Sequence, residues 1–60
     1  MISVRVMWTE REERQESLEI TKIILRALRE HGYKTKRSRI VPNRKNPGGR
    51  IFIKLRKKIK

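Results

Sequence analysis

The stretch "GRIFIKL", residues 49–55, constrains the fold more than any other. Ile51, Ile53 and Leu55 alternate with Phe52 and Lys54, which is the period of a strand with one apolar and one polar face. Such a strand needs a partner layer on its apolar side and leaves the other side to water. Because the alternation runs on into "RKKI", this segment reads as the central strand. "MISVRVMW" repeats the pattern, with Ile2, Val4, Val6 and Trp8 set against Ser3, Arg5 and Met7. "YKTKRSRIV" is rich in strand formers, but Lys34, Lys36, Arg37 and Arg39 break its alternation and make it an edge strand, where cations discourage aggregation.

A helix separates the first two strands. In "TEREE", Thr9 can cap the amide three residues on while Glu12 reaches back, so the helix is expected from about Glu10. Its end is signalled in "REHG", where Gly32 supplies a left-handed residue after Arg29 and His31. The apolar arc between these ends is broad. Ile20, Ile24, Ala27 and Leu28 form one stripe, Leu18, Thr21, Leu25 and Leu28 a second, and Ile23 lies on the flank. Either a small core wraps around the helix, or one stripe covers the sheet and the other meets a second copy. A homodimer through Leu18, Thr21, Leu25 and Leu28 is the expectation carried forward. A chain of 60 residues buries little surface, and without cysteine it has no disulfides to compensate.

The element order is therefore β-α-β-β. A right-handed crossover sets the first two strands parallel, and the third fits between them, antiparallel to both. The expected fold is α+β, a split βαβ with a three-stranded sheet and one helix packed on one face. Residues 1–60 form a single basic domain in which 42–49, "PNRKNPGG", is a flexible hairpin loop and 56–60 a basic tail.

The charge of +12 is distributed unevenly. All six acids are glutamates between Glu10 and Glu30, and they balance the cations of that half; from Tyr33 onward there are twelve Lys or Arg and no acid. A single-sign field of this kind suits a polyanionic partner. The partner expected is nucleic acid, duplex DNA ahead of RNA, met through the basic β-hairpin and the open sheet face by phosphate contacts largely independent of sequence. The candidate contacts are Arg5, Lys36, Arg37, Arg39, Arg44, Lys45, Gly48, Gly49, Arg50, Phe52, Lys54, Arg56 and Lys58. With Ile51, Ile53 and Leu55 turned to the helix, Phe52, Lys54 and Arg56 point away with Arg5. Phe52 is then either a ring on which bases stack or a side chain packed beneath Pro42 or Pro47 or into a dimer contact. The hairpin cations could enter a groove, and free amides at Gly48 and Gly49 could face phosphate. The tail is either a phosphate-contacting arm or a solubilising end. A ribosomal or other RNA-associated protein, or a subunit that binds an acidic protein, fits the same charge.

Other classes find little support. The acids lie along one helix whose polar face is solvated. Glu12 and Glu16 stand four apart among cations as surface pairs do, and His31 suits a helix end. No catalysis, cofactor, metal or small-molecule substrate is expected. No apolar run approaches the roughly 20 residues of a membrane span, and "MISVRVMW" lacks a signal peptide's basic start and apolar core, so a cytoplasmic location, at the nucleoid or ribosome, is expected. The Lys/Arg/Glu/Ile-rich composition without Cys or Asp follows the hyperthermophile pattern.

The run of helix, short turn, basic strand, glycine-containing loop and "GRIFIKLRKK" resembles the C-terminal half of Alba, the small archaeal chromatin and RNA-binding proteins, over about residues 20–58. In that family the basic hairpins of a dimer reach along a duplex, which implies contacts from Arg39, Arg44, Lys45 and Arg50. The chain departs from the family in lacking a second βα unit. Its "MWTEREE" is acidic where the family carries a basic segment, so no regulatory lysine is carried over.

Overall fold

A computed structural model describes residues 2–56. Strand β1 (Ile2–Trp8) leads through a 3₁₀ turn (Arg11–Glu13) into helix α1 (Arg14–Glu30), followed by β2 (Thr35–Arg37), β3 (Val41–Pro42) and β4 (Gly49–Leu55). The fold is α+β, and β4 is central: β1 lies along one edge and β2 and β3 share the other, all antiparallel to β4. Four strands stand where three were expected because the basic edge strand is broken in two. Arg37 pairs with Ile53 and Val41 with Arg50, so Ser38, Arg39 and Ile40 face only two residues of β4. This is a β-bulge with one extra residue. Ser38 repairs it, its amide donating to the Phe52 carbonyl (2.8 Å) while its hydroxyl accepts from the Phe52 amide (2.9 Å).

The capping box falls one residue later than expected, opening a 3₁₀ turn at Arg11, and α1 itself starts at Arg14. Glu13, rather than Glu12, closes the capping box, its carboxylate accepting from the Glu10 amide at 2.9 Å and the Thr9 amide at 3.4 Å. At the other end Gly32 has φ 86°, and the Tyr33 and Gly32 amides donate to the carbonyls of Leu28 and Arg29, a Schellman closure. No helix among the described residues is long and apolar enough to cross a membrane.

The core consists of Trp8, Ile51, Ile53 and Leu55, with Ser17 and Thr21 buried beside them on α1. Those two residues correct the expected helix faces. Thr21 is fully buried, and its hydroxyl donates to the Ser17 carbonyl at 2.8 Å, so it is not available to a second copy. The sheet side supplies the bulk, and the helix meets it with the small side chains of Ser17 and Thr21. Leu18, Leu25 and Leu28 are half-buried around this contact. Ile20 and Ile23, at 42% and 67% exposure, are the apolar side chains that α1 turns outward.

Candidate nucleic-acid interface

Residues paired across antiparallel strands point to the same side of the sheet. Because Ile51, Ile53 and Leu55 face the helix, their neighbours Arg50, Phe52 and Lys54 occupy the open side. The register then assembles three rungs on that side: Ser3, Lys54 and Lys36; Arg5, Phe52 and Ser38; Met7, Arg50 and Val41. Arg5, Lys36 and Lys54 are exposed, and Phe52 and Arg50 are half-buried. All six glutamates belong to the 3₁₀ turn, α1 and the residue before them, so no acid falls on these rungs.

Lys36 and Lys54 stand directly opposite one another. Like charges in that position oppose sheet formation. Arg5 is the direct neighbour of Phe52 and a diagonal neighbour of Lys54, a separation of about 7–8 Å. In a water-like dielectric each such pair costs about 0.5 kcal/mol. The face is thus electrostatically unfavourable on its own, and an anion laid across it relieves the repulsion. Between the central strand and the β2 edge a depression of about 120 Å³ is lined by Lys36, Arg37, Ser38, Phe52 and Lys54. Phe52 forms its aromatic wall and cations its rim.

The other candidates fall elsewhere. Arg37 pairs with Ile53, so it starts on the helix side of the edge strand and borders the depression from there. Arg39 is exposed in the bulge while Ile40 turns inward, its Cγ2 near Gly49. Arg56 is exposed, and its amide donates to the Lys34 carbonyl at 2.8 Å, prolonging the β2 pairing. Lys58 and the rest of the tail beyond Arg56 lie outside the described residues.

The loop departs most from expectation. Arg44 and Lys45 are exposed at its tip, but the loop is folded back and hydrogen-bonded. Asn43 is its hub: Nδ2 donates to the Trp8 carbonyl (2.9 Å) and to Asn46 Oδ1 (2.8 Å), while Oδ1 accepts from Arg50 Nη1 (3.0 Å). A flexible hairpin is thereby replaced by a loop pinned to β1. Gly48 and Gly49 are buried, and the Gly48 amide donates to Asn46 Oδ1 at 2.9 Å, so it does not face a phosphate. A Cβ on Gly48 would sit 1.8 Å from the Trp8 carbonyl oxygen, and that close backbone approach is the reason for glycine here. Gly49 lies under the Trp8 indole.

Sequence reasoning missed Ser38, which holds the amide of Phe52, and Asn43, which holds the loop and Arg50. Both are short polar residues that hydrogen-bond nearby backbone, a general signal for bulges and turns that does not name the partner. Among the described residues no group of three or more His, Asp or Glu is placed to hold a metal ion. No protein-family model matches the chain, and no curated protein or solved structure is significantly similar to it.

Proposed function

We propose that this protein binds nucleic acid across the open face of its sheet, through phosphate contacts that are largely independent of sequence. The observation that carries this reading is the acid-free face on which Arg5, Lys36, Arg50 and Lys54 surround Phe52. Phosphate contacts of this kind fix the position of a nucleic acid without reading its bases. The pinned loop favours the open face over a projecting hairpin arm as the main contact, with Arg44 and Lys45 as outlying cations. Such a protein would travel with nucleoid or ribosomal fractions in the cell.

A second copy remains part of the reading, with its seat moved. Thr21 is buried, so self-association would use Ile20 and Ile23 on the outer side of α1.

Fluorescence anisotropy against duplex DNA, single-stranded DNA and hairpin RNA, each titrated at several salt concentrations, tests the proposal. Four cations on the face give a log–log salt slope of about −3, at roughly 0.7–0.9 per phosphate neutralised. Binding to all three that vanishes by physiological salt would contradict it.

A further inference from the structure

Resting on that reading, we infer that the face is built for unpaired nucleotides, with one base stacked on Phe52 and the flanking phosphates held by Arg5 on one side and Lys36 and Lys54 on the other. Three features of the geometry point this way.

Phe52 sits at the middle of the central strand, with a neighbouring strand on each side. Its backbone is fixed by the two hydrogen bonds to Ser38 and by its place in the ladder with β1. A ring fixed in this way loses little freedom when a base lies on it. It is also half-buried at a position whose strand neighbours, Arg50 and Lys54, are cations, so the sheet holds an aromatic ring on a side that has no packed layer of its own.

The surface around the ring is concave. The depression bounded by Lys36, Arg37, Ser38, Phe52 and Lys54 is lined with cations and a hydroxyl, a setting that suits a flat heterocycle whose phosphates lie at the rim. A base in a duplex keeps its faces against its neighbours and cannot enter, whereas a base in a single strand can.

The surface is also short and carries no long arm. β4 has seven residues, about 23 Å of strand, and β3 has two. The hairpin loop is closed by the Asn43 amide on the Gly48 carbonyl and its base is tied to Trp8, so residues 44–47 alone lie beyond that closure. A ribbon that penetrates a major groove needs a projecting tip, and this loop does not provide one. A platform crossed by a few nucleotides needs only the face that is present.

The test compares an oligothymidylate strand, an oligouridylate strand, an abasic strand of equal length and phosphate number, and a duplex, at one fixed salt concentration. The wild-type chain is measured beside Phe52→Leu and Phe52→Tyr. Stacking on an aromatic side chain contributes about 5- to 150-fold per base. The wild type is expected to prefer both base-bearing single strands to the abasic strand and the duplex by that order. Phe52→Leu should lose the preference and match wild type on the abasic strand, and Phe52→Tyr should retain it. The relative strength of the two base-bearing strands separates DNA from RNA as the source. Equal wild-type affinity for base-bearing and abasic strands, or an unchanged preference in folded Phe52→Leu, overturns the stacking inference and leaves phosphate binding standing. Absence of binding to every strand overturns both. Should Phe52→Leu unfold, the wild-type comparison of base-bearing and abasic strands decides alone.

Discussion

Replacing Asn43 with alanine should destabilise the fold far more than an exposed loop position ordinarily would. Asn43 makes three side-chain hydrogen bonds, to the Trp8 carbonyl, Asn46 and Arg50. The Trp8 carbonyl also faces the Gly49 amide in the β1–β4 register, so losing Asn43 removes one of its bonds without stranding it. The two bonds that Asn43 donates, to the Trp8 carbonyl and to Asn46, contribute about 0.5–1.5 kcal/mol each. Arg50 can return to water at little cost. The expected loss is about 1–3 kcal/mol, against a total of on the order of 3–9 kcal/mol for a domain of this length. At about 4–8 °C per kcal/mol, Tm should fall by about 4–24 °C. Thermal unfolding followed by circular dichroism measures this, with Arg44→Ala, an exposed neighbour in the same loop, as the control expected to stay within about 0.5 kcal/mol of wild type. If Asn43→Ala melts no lower than Arg44→Ala, the loop is not pinned as described, and the argument against a projecting hairpin falls with it.

Three further substitutions probe the rest of the account. Lys36→Gln removes half of the like-charge pair with Lys54; it should raise stability by about 0.2–1 kcal/mol and flatten the single-strand salt slope by about 0.7, and a change in neither would show that the pair is not felt. Thr35→Val replaces a buried hydroxyl that has no hydrogen-bond partner, so it should leave stability unchanged or raise it by up to about 1 kcal/mol in denaturant titrations; a loss above that size would mean the hydroxyl is bonded. Ile23→Glu should shift sedimentation from dimer to monomer with the fold retained, because Ile23 is 67% exposed, and should remove the concentration dependence of Tm; a wild type that sediments as a monomer at all concentrations would end the homodimer reading.

The parts of the fold that followed from the sequence are those set by simple periodicity and by end signals. The alternation in "GRIFIKL" placed β4 at the centre and turned Phe52 and Lys54 to the open side, where the register now puts them opposite Arg5 and Lys36. Gly32 closed the helix as its conformational freedom requires. The capping box was displaced by one residue because Glu12 and Glu13 are equally able to reach back, and the 3₁₀ turn selects Glu13.

What the sequence did not disclose depends on partners distant along the chain. The apolar arc of α1 is too wide to say which stripe is buried, and the decision is made by the bulk of Trp8, Ile51 and Ile53, which leaves room for Ser17 and Thr21 but not for a row of isoleucines. The bulge at Ser38 is a one-residue insertion that moves Val41 from the helix side to the open side, and a basic, poorly alternating strand gives no register by which to detect it. Asn43 and Asn46 announce a turn in "PNRKNPGG", yet the partner that pins the loop, the Trp8 carbonyl, lies 35 residues away.

The most direct test of the binding face is an amide chemical-shift titration of the isotopically labelled protein with a short single-stranded oligonucleotide at physiological salt. The account predicts that the largest perturbations fall on Ser3, Arg5, Lys36, Ser38, Arg50, Phe52 and Lys54, while the outer residues of α1 around Glu19 and Ile23 stay still. Perturbations confined to Arg44 and Lys45 at the loop tip, or centred on α1, would contradict the claim that the open sheet face is where this protein meets its partner.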